Sequence, residues 1–116
     1  MIKPLYVKRH DLQPYYYGQV VDANDSPVDI TSATIYTSMK DVRTNSMAIS
    51  HQSSWGIVTS GPAGLFEYRW VNSNVALSGK FNIEFEVVPV SGGKFTVPSD
   101  PDEVAEVIIL DDLDNQ

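Results

Sequence analysis

The sequence predicts an all-β fold, a single antiparallel β-sandwich spanning residues 1–116. Three observations carry this prediction. Several segments alternate apolar and polar residues with period two, as strands with one buried face do. Turn-forming clusters separate these segments at short intervals. No window sustains the i, i+3, i+4, i+7 apolar spacing of an amphipathic helix.

The clearest alternation runs from Lys80 to Val88, with Phe81, Ile83, Phe85 and Val87 on one face and Asn82, Glu84 and Glu86 on the other. Phe66, Tyr68 and Trp70 form a second apolar face, opposed by Glu67 and Arg69. Thr34 to Lys40 reads as a strand with Ile35, Thr37 and Met39 on one side, and Tyr15 to Val21 as another. Val104 to Leu110 is a longer apolar run, for which burial on both sides is expected. Met47 to Gln52 and Trp55 to Thr59 complete about seven strands. Asn24-Asp25-Ser26-Pro27, Ser60-Gly61-Pro62-Ala63-Gly64, Ser91-Gly92-Gly93 and Pro98-Ser99-Asp100-Pro101 supply the turns. Val71 to Ser78 has room for one helical turn. The expected core is Phe66, Tyr68, Trp70, Phe81, Ile83, Phe85, Val107 and Ile109.

Composition narrows the function. Eight basic against fifteen acidic residues give a net charge of −7, the wrong sign for attracting phosphate backbones or anionic lipid. Nucleic acid and membrane are therefore not expected as partners. No signal-peptide-like or membrane-spanning apolar run is present. The absence of cysteine removes disulfides, thiolate metal sites and a cysteine nucleophile.

No catalytic residue, cofactor site or metal site is assigned. The two histidines are His10 and His51; Ser50 and Ser53 are near His51 in sequence, but adjacent strand residues point to opposite faces. Glu84 and Glu86 read as a solvated strand face. The Asp22, Asn24, Asp25 turn and the Asp100, Asp102, Glu103 turn offer oxygen ligands for calcium, although Asp and Asn also shape turns by bonding their own backbone.

Interface residues are expected at two places. Lys3, Lys8 and Arg9 lie in residues 1–11, read as an N-terminal arm opposite in charge to an acidic tail at 111–116. Such an arm either docks on a neighbouring subunit or pairs with the chain's own last strand. Tyr15, Tyr16 and Tyr17 are consecutive, so they cannot all face the core, and at least one ring should emerge as an interface anchor.

Three stretches resemble the immunoglobulin-like domain at the N-terminus of phage baseplate upper proteins and related small phage tail proteins. DSPVDITSATIYTSMKD, from Asp25 to Asp41, is similar to the family's turn, Pro-Val-Asp-Leu-Thr-Gly-Ala and strand, with Ile30 and Ser32 in place of Leu and Gly. GLFEYRWVNSNVALSGKFNIEFEVV, from Gly64 to Val88, resembles its Tyr-x-Trp, spacer, Gly-x-Tyr and Glu-Phe-Glu-Val segment, with Phe81 in place of Tyr. KFTVPSDPDEVAEVIIL, from Lys94 to Leu110, resembles its Thr-x-Pro-Ser-Asp entry to a final strand. The resemblance implies an immunoglobulin-like sandwich and a non-enzymatic virion structural protein of the tail, baseplate or neck. Its implied partners are other virion proteins and copies of itself. The alternatives are a capsid decoration protein and a carbohydrate- or receptor-binding module that stacks ligands on Tyr15 to Tyr17 and Trp55.

Overall fold

The structure, a computed structural model, describes residues 4–98 and 104–111. Nine strands occur among them: β1 Leu5–Lys8, β2 Tyr16–Gln19, β3 Thr34–Asp41, β4 Met47–Gln52, β5 Gly56–Ser60, β6 Leu65–Tyr68, β7 Gly79–Val88, β8 Phe95–Val97 and β9 Ala105–Leu110. The larger sheet has the order β1-β9-β7-β3-β4, with β8 beside the C-terminal half of β7; the smaller has the order β2-β6-β5. The only other regular element among the described residues is a 3₁₀ turn at Asn72–Val75, inside the segment expected to have room for one.

The two sheets enclose one core, as in a β-sandwich. Period-two alternation supplies it: Phe81, Ile83, Phe85 and Val87 of β7, and Ile35, Thr37 and Met39 of β3, all point inward and are buried. From the smaller sheet Phe66 packs edge-on against Phe85, with ring centroids 5.0 Å apart, and Tyr16 lies 5.1 Å from the same ring. All eight residues expected in the core are buried. Thr37 sits among them with no hydrogen-bond partner for its hydroxyl among the described residues, so β3 carries one polar group at a cost in desolvation.

Two glycines make room for side chains of the core. A Cβ on Gly18 would stand 2.3 Å from the ring of Phe66, its cross-strand partner in the same sheet, and one on Gly56 would stand 2.8 Å from Ile35 Cβ of the opposite sheet. The missing side chain on β2 lets the Phe66 ring lie over its neighbour strand, and the one on β5 lets β3 approach closely. Gly18→Ala should overpack this point and destabilise the fold by about 1–3 kcal/mol, measured by urea unfolding.

Tyr68 closes the bottom of the smaller sheet. Its hydroxyl donates to Asn74 Oδ1 at 2.9 Å, and the same oxygen accepts from the Val71 backbone N–H at 3.0 Å. Burial pushes the Tyr68 phenol up to about 12, so the proton needed for this bond stays in place. One amide oxygen thus holds the 3₁₀ turn onto the core.

The structure corrects the sequence reading at three points. The larger sheet is mixed and not antiparallel throughout, because β1 runs parallel to β9 with Leu5 opposite Val107 and Val7 opposite Ile109. Of the two readings of residues 1–11, Leu5 to Lys8 follows the one in which they pair with the chain's own last strand and not that of a free arm: Val7 is buried and Leu5 packs against the core. In β9 only Ala105, Val107 and Ile109 are buried, since no layer of the described residues covers the outer face where Leu110 lies exposed. Glu67, expected in solvent, is buried. The 112–116 part of the expected acidic tail lies outside the described residues.

Candidate binding face

The outer face of the smaller sheet brings together residues from three strands. Cross-strand register places Tyr17 of β2 opposite Glu67 of β6, and Ile57 of β5 opposite the other side of Glu67. One step along, the Arg69 N–H donates to the Trp55 carbonyl at 3.0 Å, which sets Trp55 beside Arg69. The guanidinium of Arg69 lies 5.7 Å from the centre of the Tyr15 ring, and Tyr15 is 6.4 Å from Tyr17. Because Gly18, Gly56 and Phe66 point inward, the alternation sends these residues outward. The face is two short rows: Tyr15, Arg69 and Trp55 in one, Tyr17, Glu67 and Ile57 in the next.

Tyr17 is 66% exposed and Trp55 43% exposed, whereas Glu67 between them is 7% exposed. A buried carboxylate is costly unless paired, and Arg69 Nε donates to Glu67 Oε2. That hydrogen bond raises the Arg69 pKa above its ordinary value, and the two formal charges of the pair cancel. Glu67 Oε1 has no hydrogen bond within the described residues and is not enclosed. The face therefore presents two aromatic rings with a fixed cation and a fixed acceptor between them.

The expected interface residues divide. Tyr17 emerges, Tyr15 is half-buried in the cation-π contact, and Tyr16 turns inward onto Phe85. Lys8 is exposed on the larger sheet opposite Leu110, and Arg9 pairs with Asp111 at 3.5 Å. Lys3 lies outside the described residues. The tyrosines and the basic residues thus belong to different sheets. Glu67 and Arg69 are the site residues that the sequence reading missed; the signal available was a carboxylate two positions from an arginine on an aromatic strand.

The outer face of the larger sheet is divided along its length. At the β1-β9 edge, Tyr6 lies opposite Ile108, and Ile108 opposite Lys80. Tyr6 is 55% and Leu110 41% exposed, and Lys8 and Lys80 border them. Towards β4, His51 Nε2 lies 3.2 Å from Glu86 Oε1, its ring stacks on Tyr36 at 4.3 Å, and Lys94 reaches Glu86 at 3.5 Å. Hydrogen bonding to His51 lowers the Glu86 pKa. No serine hydroxyl is bonded to either histidine ring among the described residues; His10 Nδ1 faces Asn72 Oδ1. Asp22 Oδ1 accepts the Asn24 and Ser26 N–H groups, which is the turn-shaping use of that carboxylate. The Asp100, Asp102, Glu103 turn lies outside the described residues. Among the described residues no three His, Asp or Glu side chains converge as metal ligands would.

No protein-family model matches the chain, and no curated protein matches it.

Proposed function

We propose that the chain is a non-enzymatic structural subunit of a phage virion, an immunoglobulin-like adaptor of the tail, baseplate or neck that docks on neighbouring subunits. The observation that carries this reading is the outer face at β1-β9, where exposed Tyr6 and Leu110 and half-buried Ile108 form an apolar strip bordered by Lys8 and Lys80 among the described residues. Exposed apolar surface bounded by charge is the composition of a protein interface. Lys8 favours an acidic surface on the partner, whereas Lys80 is already paired with Glu106 at 3.0 Å; the apolar strip holds the partner, since exposed ion pairs alone contribute about 0–1 kcal/mol each. The three sequence stretches that resemble phage tail proteins supply the virion setting, because a fold does not fix a function.

The test is incorporation. Immunogold labelling should place the protein on the tail or neck of purified particles, and Tyr6→Glu combined with Leu110→Glu should lower its incorporation by about tenfold or more, equivalent to about 1.4 kcal/mol of docking energy. The same variant should keep its urea midpoint, because both side chains are exposed. Absence from particles, or normal incorporation of the double variant, refutes the reading; labelling on the shell moves it to a decoration protein.

A further inference from the structure

We infer that the outer face of the smaller sheet is a binding site for a neutral oligosaccharide, with Tyr17 and Trp55 as stacking platforms and Glu67 and Arg69 as the hydrogen-bonding pair between them. This goes beyond the structural role proposed above and does not depend on it.

The protein carries −7 overall, yet Glu67 and Arg69 cancel on this face. An anionic ligand meets an arginine already neutralised and a repelling protein; a cationic ligand meets a carboxylate already paired. Neither gains from its charge here. A neutral ligand loses nothing to the same arrangement.

Hydrogen-bond complementarity then selects among neutral ligands. Glu67 Oε1 is an acceptor with no donor among the described residues, and a carboxylate oxygen left without a donor under a bound ligand is expensive. The ligand must therefore donate. Arg69 Nη1 and Nη2 carry donors that no acceptor among the described residues takes up, so the ligand must also accept. A sugar hydroxyl does both, and adjacent hydroxyls on a pyranose ring can serve a carboxylate and a guanidinium side by side. The apolar C–H face of the same ring stacks on tyrosine or tryptophan. A proline-rich peptide also favours exposed aromatics, but it has almost no N–H groups to offer Glu67 and would bury that oxygen unpaired.

Rigidity favours the site as well. Glu67 is buried between Tyr17 and Ile57 in the middle strand of the sheet, and Arg69 is held by Glu67 and by the Tyr15 ring. Little side-chain entropy remains to be lost on binding.

The test is a titration of the intact protein, followed by amide and indole resonances, with cellohexaose, maltohexaose, chitohexaose and mannohexaose, and with decaproline and hexagalacturonate as contrasts. At least one neutral hexasaccharide should bind saturably, shifting Tyr17, Ile57 and Glu67 while leaving Tyr6 and Leu110 of the larger sheet unmoved. Tyr17→Ala and Trp55→Ala should each weaken that binding by about tenfold or more, and Glu67→Gln, which keeps the shape but not the anionic acceptor, should weaken it as well. Because Tyr17 and Trp55 are exposed, their variants report binding even where Glu67→Gln alters folding. Failure of all four neutral sugars overturns the inference. So does saturable binding of decaproline or hexagalacturonate at this face in their place, or sugar binding that survives Tyr17→Ala.

Discussion

Trp70→Ala is expected to lower the unfolding free energy by about 3–5 kcal/mol. Trp70 is buried although it lies two residues beyond the end of β6. Its ring meets Tyr68 edge-on at 5.1 Å, and its indole N–H donates to the Pro14 carbonyl at 2.8 Å. Truncation therefore removes a large apolar volume and strands an acceptor on the segment leading into β2. The two losses act on the same strand pair, so β2 should loosen before the larger sheet does. Trp55→Ala is the internal contrast: that side chain is exposed, and its loss should cost less than about 1 kcal/mol. Urea unfolding of both variants checks the pair of values. A cost for Trp70→Ala below about 1 kcal/mol would contradict its burial.

The contrast between the two tryptophans also shows which parts of the molecule were legible beforehand. Phe66, Tyr68 and Trp70 recur at every second position, so their common inward direction follows from pleat geometry alone. The same holds for Phe81 to Val87 in β7. Glu67 sits between two of those positions and alternation sends it outward, which it obeys; its burial comes from Tyr17 and Ile57, contributed by strands about fifty and ten residues away. Such cover depends on register between strands and leaves no local pattern. The apolar run in β9 misleads for the complementary reason, since Ile108 and Leu110 are as apolar as Val107 and Ile109 but meet no second layer among the described residues. Short strands at the sheet margin are hardest: three residues at Phe95–Val97 and four at Leu5–Lys8 are too few for periodicity to separate from chance.

The candidate face was half legible in the same way. A run of three tyrosines must expose one ring whatever the fold, and Tyr17 is that ring. Which residues stand beside it is a matter of topology: β6 lies between β2 and β5, and this places Arg69 between Tyr15 and Trp55. The opposite charges of the termini were visible as well, and part of that complementarity is used within the chain, in the Arg9–Asp111 pair.

Deleting residues 1–8 should therefore destabilise the isolated domain and not merely impair its docking. The deletion removes Val7, which is buried, and Leu5, which packs on the core; full burial of such side chains contributes about 1.5–3 kcal/mol each. It also exposes the edge of β9, whose backbone groups pair with β1 in parallel register from Val107 to Leu110. Counting Leu5 as half-buried, the expected loss is about 2–5 kcal/mol, with the upper end favoured if the bare β9 edge frays. The adjoining bonds from Arg9 N–H to the Leu110 carbonyl and from His10 N–H to the Val75 carbonyl lose their anchor at the same time. A free docking arm makes the opposite prediction: removal would leave the urea midpoint unchanged and reduce only incorporation into particles. Measuring midpoint and m-value on the truncated chain separates the two, because an intramolecular strand lowers the midpoint and an arm does not. Val7→Ala gives the same answer without changing the chain's length. It removes two buried methyl groups opposite Ile109, so a fall in stability of about 1–3 kcal/mol locates the effect in the β1-β9 contact, whereas an unchanged midpoint would show that β1 does not hold the sheet edge in solution.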